Sequence, residues 1–410
     1  MDGLAGLRRE KMAGMGAFEV DAVRKQFPAL NEGAAHFDGP GGSQTPQVVA
    51  DVVSSTMTSA LANRGRLTPA ERRADGIVVG ARQAMADLLG TDPRGIVFGR
   101  SMTQLTYDFA RTLAKDWGPG DEIVVTRLDH DANVRPWVQA AAAAGATVRW
   151  LAFDPSTSEL DDIAPLLSSR TRLVAVTAAS NLIGTRPDVA AIASTVHSAG
   201  ALVYVDGVHL TAHAPVDAGF ADFYACSPYK FFGPHCGVLS ASPALLEGLR
   251  PDKLLPATDV VPERFEFGTL PYELLAGTTA AVDFLAGLGG TGENRRERLL
   301  SSLALLESYE DELRVELESR LAAIDGVTLY GKAQRRTPTL LFSVAGLDSS
   351  EVAARLAEAG VNAPAGSFYA LEASRHLGLG DTGAVRVGLA PYTNQSDVNR
   401  LIEAVGELTA

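Results

Sequence analysis

Seven short apolar runs rich in β-branched residues lie between positions 95 and 242, most of them separated by a helix-length segment. They are GIVFG (95–99), EIVVT (122–126), TVRWLAF (147–153), RLVAVT (172–177), ALVYVD (201–206), ADFYAC (221–226) and GVLSAS (237–242). Near-continuous apolar runs belong to strands covered on both faces, and helical crossovers let successive strands run parallel. The spacing therefore predicts an α/β unit built on a mostly parallel seven-stranded sheet. The intervening stretches 133–144 and 189–199 read as helices, each followed by the glycine expected just past a helix end, Gly145 and Gly200.

After Pro271 the sequence becomes mostly helical, and 293–324 repeats acidic, basic and leucine positions at helical spacing. This predicts a connecting helix into a smaller α+β unit with a strand in 337–347, a helix over 350–359, a strand over 384–390 and a terminal helix over 395–408. The expected division is an N-terminal arm contributing to the small unit (1–35), a large unit (36–285) and the small C-terminal unit with its connecting helix (286–410). A length of 410 residues, with 46% hydrophobic and 21% charged residues, fits two globular units and excludes wholesale disorder.

Charge narrows the partners. With 36 basic against 49 acidic residues, a net charge of −13 and no long basic run, the chain is unsuited to nucleic acid or an anionic membrane, so a small-molecule substrate is expected. The two cysteines, Cys226 and Cys236, are too few for a disulfide framework or a cysteine-based zinc site, and no metal is expected. The first 20 residues carry Arg8, Arg9 and Lys11 without an apolar core behind them, and no run reaches the ~18 apolar residues of a membrane span. A soluble cytoplasmic protein is the expectation.

In an open parallel sheet, ligands gather beyond the carboxyl ends of the strands. Five such ends carry polar clusters: Ser101, Met102 and Thr103; Asp129, His130 and Asp131; Ser180 and Asn181; Asp206 and His209; Ser227, Tyr229 and Lys230. Asp206 and Lys230 close successive runs, which brings a carboxylate and an amine to one pocket. Pyridoxal phosphate needs this pairing, the amine to form an imine and the acid to keep the pyridine nitrogen protonated. Either residue alone reads equally well as a turn acid or a surface amine; their joint placement favours the site. GPGG (39–42) precedes the first main strand and matches neither a dinucleotide fingerprint nor a P-loop, which leaves a nucleotide-binding reading without support.

The segment VYVDGVHLTAHAPVDAGFADFYACSPYKFFGPHCGVL (203–239) closely resembles the cofactor segment of the class V aminotransferase superfamily, especially its cysteine-desulfurase-like branch. Further matches are HFDGPGGSQTP (36–46), GRSMTQLTYDFAR (99–111), LDHDANVRPW (128–137), SNLIGT (180–185), RFEFGT (264–269) and VRVGLAPYTNQSDVNRL (385–401). The resemblance implies the fold-type I architecture of pyridoxal-phosphate-dependent transferases, a homodimer with shared active sites and pyridoxal 5'-phosphate as cofactor. It implies Lys230 as the Schiff-base lysine and proton shuttle, Asp206 on the pyridine nitrogen and His130 stacked on the ring. His209, where many desulfurases have glutamine, and Asn181 would lie near the phenolic oxygen. Thr103, Ser227 and the Tyr229 hydroxyl would hold the phosphate, with Thr269 reaching in from the neighbouring subunit. Arg386 matches the arginine that receives the substrate α-carboxylate, a task suited to a planar two-pronged guanidinium. Arg64 and Arg336 are further candidates for substrate or dimer contacts.

The departures from the family concern sulfur. Desulfurases carry a nucleophilic cysteine on a small-domain loop, and the corresponding stretch here, AGSFYALEASRHLGL (365–379), has Tyr369 in that place. Cys226 and Cys236 flank Lys230 instead; Cys226 reads as a small buried residue, and Cys236, beside His235, is the candidate for an activated thiol. The expected activity is that of an enzyme acting on an amino acid through an external aldimine, a C–S lyase eliminating a cysteine conjugate to pyruvate and ammonia. Class V amino transfer and epimerisation at Cα are alternatives, and a desulfurase with a relocated cysteine is another. A non-catalytic scaffold descended from such enzymes would need neither Asp206 nor Lys230.

Overall fold

The computed structural model describes residues 18–409; residues 1–17, about half of the expected N-terminal arm, and residue 410 lie outside the described residues. The chain opens with a short strand, β1 (Ala35–His36). It then builds a large sheet from β2 (Ile96–Gly99), β3 (Glu122–Thr126), β4 (Thr147–Leu151), β5 (Thr171–Thr177), β6 (Leu202–Asp206), β7 (Phe223–Cys226) and β8 (Gly237–Ala241). All seven correspond to the apolar runs. Their order is β2-β8-β7-β6-β5-β3-β4. Pairings among β3 to β7 are parallel, while β8 is antiparallel to both β7 and β2. The reversal of β8 follows from its connection, 227–236, which is too short for a helical crossover.

Alternation along the strands supplies two cores. Ile123, Val125, Ala175 and Tyr204 face Phe109, Trp137 and Ala141 on one side. Val124, Val174, Val203 and Val205 face the other, against Val78, Met85, Leu275 and Val282 of the helices Pro69–Leu89 and Tyr272–Ala286. The helix Met102–Leu113 starts directly after β2, capped by the Ser101 hydroxyl on the Gln104 N–H at 3.1 Å. Its first turn is brought against β8 because Gly237 has no side chain: a Cβ there would lie 2.3 Å from the Ser101 carbonyl carbon. Likewise a Cβ on Gly207, just after β6, would lie 2.0 Å from the Tyr224 ring.

The long helix Arg295–Ala322 joins the two units physically. Leu299, Leu303 and Leu306 pack in the large core, whereas Leu313, Leu317 and Leu321 pack in the small one. The small unit holds β9 (Val327–Tyr330), β10 (Thr339–Val344), β11 (Val361–Asn362), β12 (Ala365–Gly366) and β13 (Ala384–Gly388). Four of these form an antiparallel sheet, β12-β13-β10-β9, against which the helices Ser349–Glu358 and Gln395–Thr409 pack. The fifth, β11, pairs in parallel with β1, and Phe37 enters the same core. Among the described residues, no helix is long and apolar enough to cross a membrane.

Candidate active site

A cavity of about 620 Å³ opens at the carboxyl ends of β3, β5, β6 and β7 and is closed by the small unit. All five polar clusters contribute, through Thr103, His130, Asn181, Asp206, His209, Ser227, Tyr229 and Lys230; Arg386 enters from β13. Pro40, Tyr107, Arg135 and Phe368 also line it and had no assigned role in the sequence reading. Tyr369 stands at its mouth, 74% exposed.

Asp206 ends β6, is 4% exposed and accepts a hydrogen bond from the Val208 N–H at 2.9 Å. Burial pushes its carboxyl up to about 6, with the Lys230 charge acting in the opposite direction. Lys230 closes the single turn after β7, and its Nζ donates to the Pro40 carbonyl at 2.5 Å. Burial, then the Arg386 charge, pull the amine down to about 7 against the counteracting Asp206. An amine so shifted is available as a nucleophile or base near neutral pH. The glycine-rich turn at 39–42 thus serves to present a carbonyl to Lys230.

His130 is neutral, because burial and the Lys230 charge lower it to about 4. Its Nδ1 accepts from the Ala132 N–H at 3.0 Å, leaving the ring proton on Nε2. Asp129 beneath it is fully enclosed: Oδ1 accepts from Asn133 Nδ2 at 2.7 Å, Oδ2 accepts from the Thr177 N–H at 3.1 Å, and Oδ2 also pairs with the Thr126 hydroxyl. Burial pushes this carboxyl up to about 8. Asp129 therefore ties the His130 loop to β5 and does not line the cavity.

Thr103 lies in the first turn of the Met102–Leu113 helix, where free N–H groups and the helix dipole suit a phosphate, and Ser227 lines the same cavity. The Tyr229 ring stacks on His235 at 4.6 Å. Arg386 is 2% exposed; its Nη1 donates to the Asn181 carbonyl at 2.9 Å and its Nε is buried without a partner. Among the described residues it makes no salt bridge, and burial pulls it down to about 9. A buried guanidinium without a counter-ion is a receptor for an anion. The Asn181 amide donates to the Phe368 carbonyl at 2.9 Å, and its Oδ1 is buried without a partner.

His209 lies at the junction of the two units. Its Nε2 is 2.9 Å from the Thr339 hydroxyl and 3.0 Å from that of Thr337, and its ring meets His213 edge to face. His213 is held in turn by Glu310 of the long helix at 2.8 Å. Burial lowers His209 well below the usual histidine range, so the ring at the cavity wall is neutral.

Five of the candidate residues lie outside the cavity. Arg64 is occupied by Asp75 at 2.9 Å and Glu263 at 3.0 Å, outside the cavity. Arg336 donates to Glu318 and to the Gly331 carbonyl and does not reach the cavity either. Both guanidinium groups have carboxylate partners within this chain. Thr269 is exposed and does not line this chain's own cavity, consistent with a residue directed at a neighbour. Cys226 and Cys236 are buried and outside the cavity. Burial raises both thiols, Cys236 to about 11 beside the Thr278 hydroxyl at 3.4 Å.

These groups fit pyridoxal phosphate: a buried acid opposite an amine of lowered basicity, a neutral ring to stack on, and a helix start for the phosphate. No cluster of three or more histidine, cysteine, aspartate or glutamate residues able to hold a metal occurs among the described residues.

Comparison with known proteins agrees. The family profile "Aminotransferase class-V" matches residues 35–401. The chain is 34% identical to an uncharacterized protein of Mycobacterium tuberculosis, over 96% of this chain and 100% of that one. It is 33% identical to an aminotransferase-like protein of Gibberella zeae, over 95% and 98% of the two chains. The solved structure of a cysteine desulfurase from Escherichia coli superposes with a TM-score of 0.84 at 30% identity, covering 96% of this chain and 100% of that one. Matching motifs, a shared fold along nearly the whole chain and a cavity fitted to the cofactor converge: the chain belongs to the class V aminotransferase family, in its cysteine-desulfurase-like branch, and is a pyridoxal-phosphate-dependent enzyme.

Proposed function

We propose that the protein is a C–S lyase that eliminates the sulfur substituent of a cysteine conjugate. The observation that carries this reading is the chemistry of the cavity: it holds a part-buried amine, a buried acid and a buried arginine but no thiol, and the resemblance aligns Tyr369 with the loop cysteine of desulfurases. When bound, pyridoxal phosphate supplies an electron sink conjugated with the substrate nitrogen. Arg386 grips the α-carboxylate and so fixes which Cα bond is broken. Lys230 would take the Cα proton on Nζ, while Asp206 would favour a protonated pyridine nitrogen and His130 would lie against the ring. The β-substituent leaves as a thiolate, and the remaining fragment hydrolyses to pyruvate and ammonia.

Amino transfer or epimerisation uses the same residues up to loss of the Cα proton, and the likeness to the aminotransferase-like protein of Gibberella zeae favours amino transfer as the second reading. Holoenzyme incubated with cysteine conjugates, with and without a 2-oxo acid, separates them. Elimination gives pyruvate and thiol in equal amounts; a new amino acid formed from the 2-oxo acid, with no thiol released, would overturn it.

The assembly proposed with this function is a cytoplasmic homodimer of chains divided into an arm (1–35), a cofactor-binding unit (36–285) and a small unit (286–410). Its support is the segment before Thr269, where Leu254, Leu255, Val260 and Phe267 leave apolar side chains exposed on the single chain.

A further inference from the structure

Phe368 and Tyr369 are consecutive aromatic residues with φ of 51° and 59°. Bulky residues avoid this left-handed region, and strain of this kind persists only where the surroundings enforce it. Two hydrogen bonds from the large unit do so: Asn181 Nδ2 donates to the Phe368 carbonyl at 2.9 Å, and the Asp131 N–H donates to the Tyr369 carbonyl at 2.7 Å. The pair forms a strap over the cavity. The Phe368 ring lies 3.7 Å from the guanidinium carbon of Arg386. The Tyr369 ring stacks at 5.5 Å and 29° on His130. Packing does not account for Tyr369, because 74% of it is exposed. A strained backbone that holds an aromatic face in solvent at a cavity mouth is arranged for contact with something that enters.

We propose that Tyr369 is a specificity-determining residue, a stacking face that selects amino acids carrying an aromatic β-substituent. The inference rests on Arg386 as the receiver of the α-carboxylate. With the carboxylate held beneath Phe368, the next residue of the strap, about 3.8 Å along the chain, stands over the substrate's side-chain end. A flat ring there gains offset stacking on Tyr369, whereas a saturated ring of similar size gains only burial.

The test titrates holoenzyme with S-phenyl-, S-cyclohexyl- and S-methyl-L-cysteine, following the visible absorption of the bound cofactor, with pyruvate measured separately. S-phenyl-L-cysteine is expected to bind about 3- to 10-fold more tightly than the cyclohexyl compound. Tyr369→Phe should keep that preference, and Tyr369→Leu should abolish it while leaving S-methyl-L-cysteine binding unchanged. Equal binding of the two rings, no response to S-phenyl-L-cysteine, or equal weakening of all three by Tyr369→Leu would overturn the proposal. The last outcome is what a merely structural or dimer-contact role would give. A phenyl preference without pyruvate would contradict the elimination reading alone; pyruvate without any preference would contradict the stacking role alone.

Discussion

Lys230 carries its reactivity in its surroundings. An ordinary lysine amine loses its proton near 10.5, but burial and Arg386 bring this one to about 7. Because the lowered value favours the neutral amine above it, the rate at which apoprotein takes up pyridoxal phosphate should rise from about pH 6 to about pH 8 and then level off. Stopped-flow absorbance at ~410–430 nm, where a protonated imine of this cofactor absorbs, checks this; a rate still climbing tenfold per unit beyond pH 9 would mean an unshifted lysine. The residue itself was legible in the sequence, as were Asp206, His130 and Arg386, because each sits at a strand end or within a family motif. Its controlling neighbours were not. The Pro40 carbonyl lies 190 positions away and Arg386 lies in the other unit, so neither is a neighbour that the sequence displays.

At the level of elements, the helix start proposed to hold the phosphate is pressed against the beginning of β8. Gly237→Ala would set a methyl group 2.3 Å from the Ser101 carbonyl carbon, and backbone there has no rotamer with which to yield. A loss of about 1–3 kcal/mol is expected, the usual range for overpacking, together with weaker cofactor binding because the helix start is displaced. Thermal unfolding and a cofactor titration measure the two effects; an unchanged cofactor affinity would uncouple this contact from the phosphate site. The seven strands of the large sheet were readable from their apolar runs, and the long helix from its spacing. β8 read no differently from the others, since its reversal is set by the short connection before it. β9 was missed because its residues are only half covered and show no apolar run. The pairing of β1 with β11 was missed because two-residue strands joined across the chain carry no periodic signal.

For the whole molecule, the single chain leaves Thr269 and a run of apolar side chains in solvent while its own cavity lacks that threonine. Sedimentation should show a dimer, and Thr269→Ala should weaken cofactor binding without changing the mass; a fully active monomer would contradict the shared site. The family and cofactor were legible because the motifs extend along nearly the whole chain. The fate of sulfur was only half legible: the sequence shows Tyr369 in the loop stretch and Cys236 beside His235, but not the burial that raises the Cys236 thiol to about 11 beside the Thr278 hydroxyl. That point bears most directly on the central claim of thiol-free C–S cleavage. The decisive measurement is the rate of pyruvate and thiol release per cofactor-loaded site from S-phenyl-L-cysteine by the Cys226→Ala/Cys236→Ala double variant. The account predicts the rate of the parent protein, with no phenylthio mixed disulfide trapped on either; loss of release in the variant, with a phenylthio mixed disulfide on Cys236 of the parent, would contradict it.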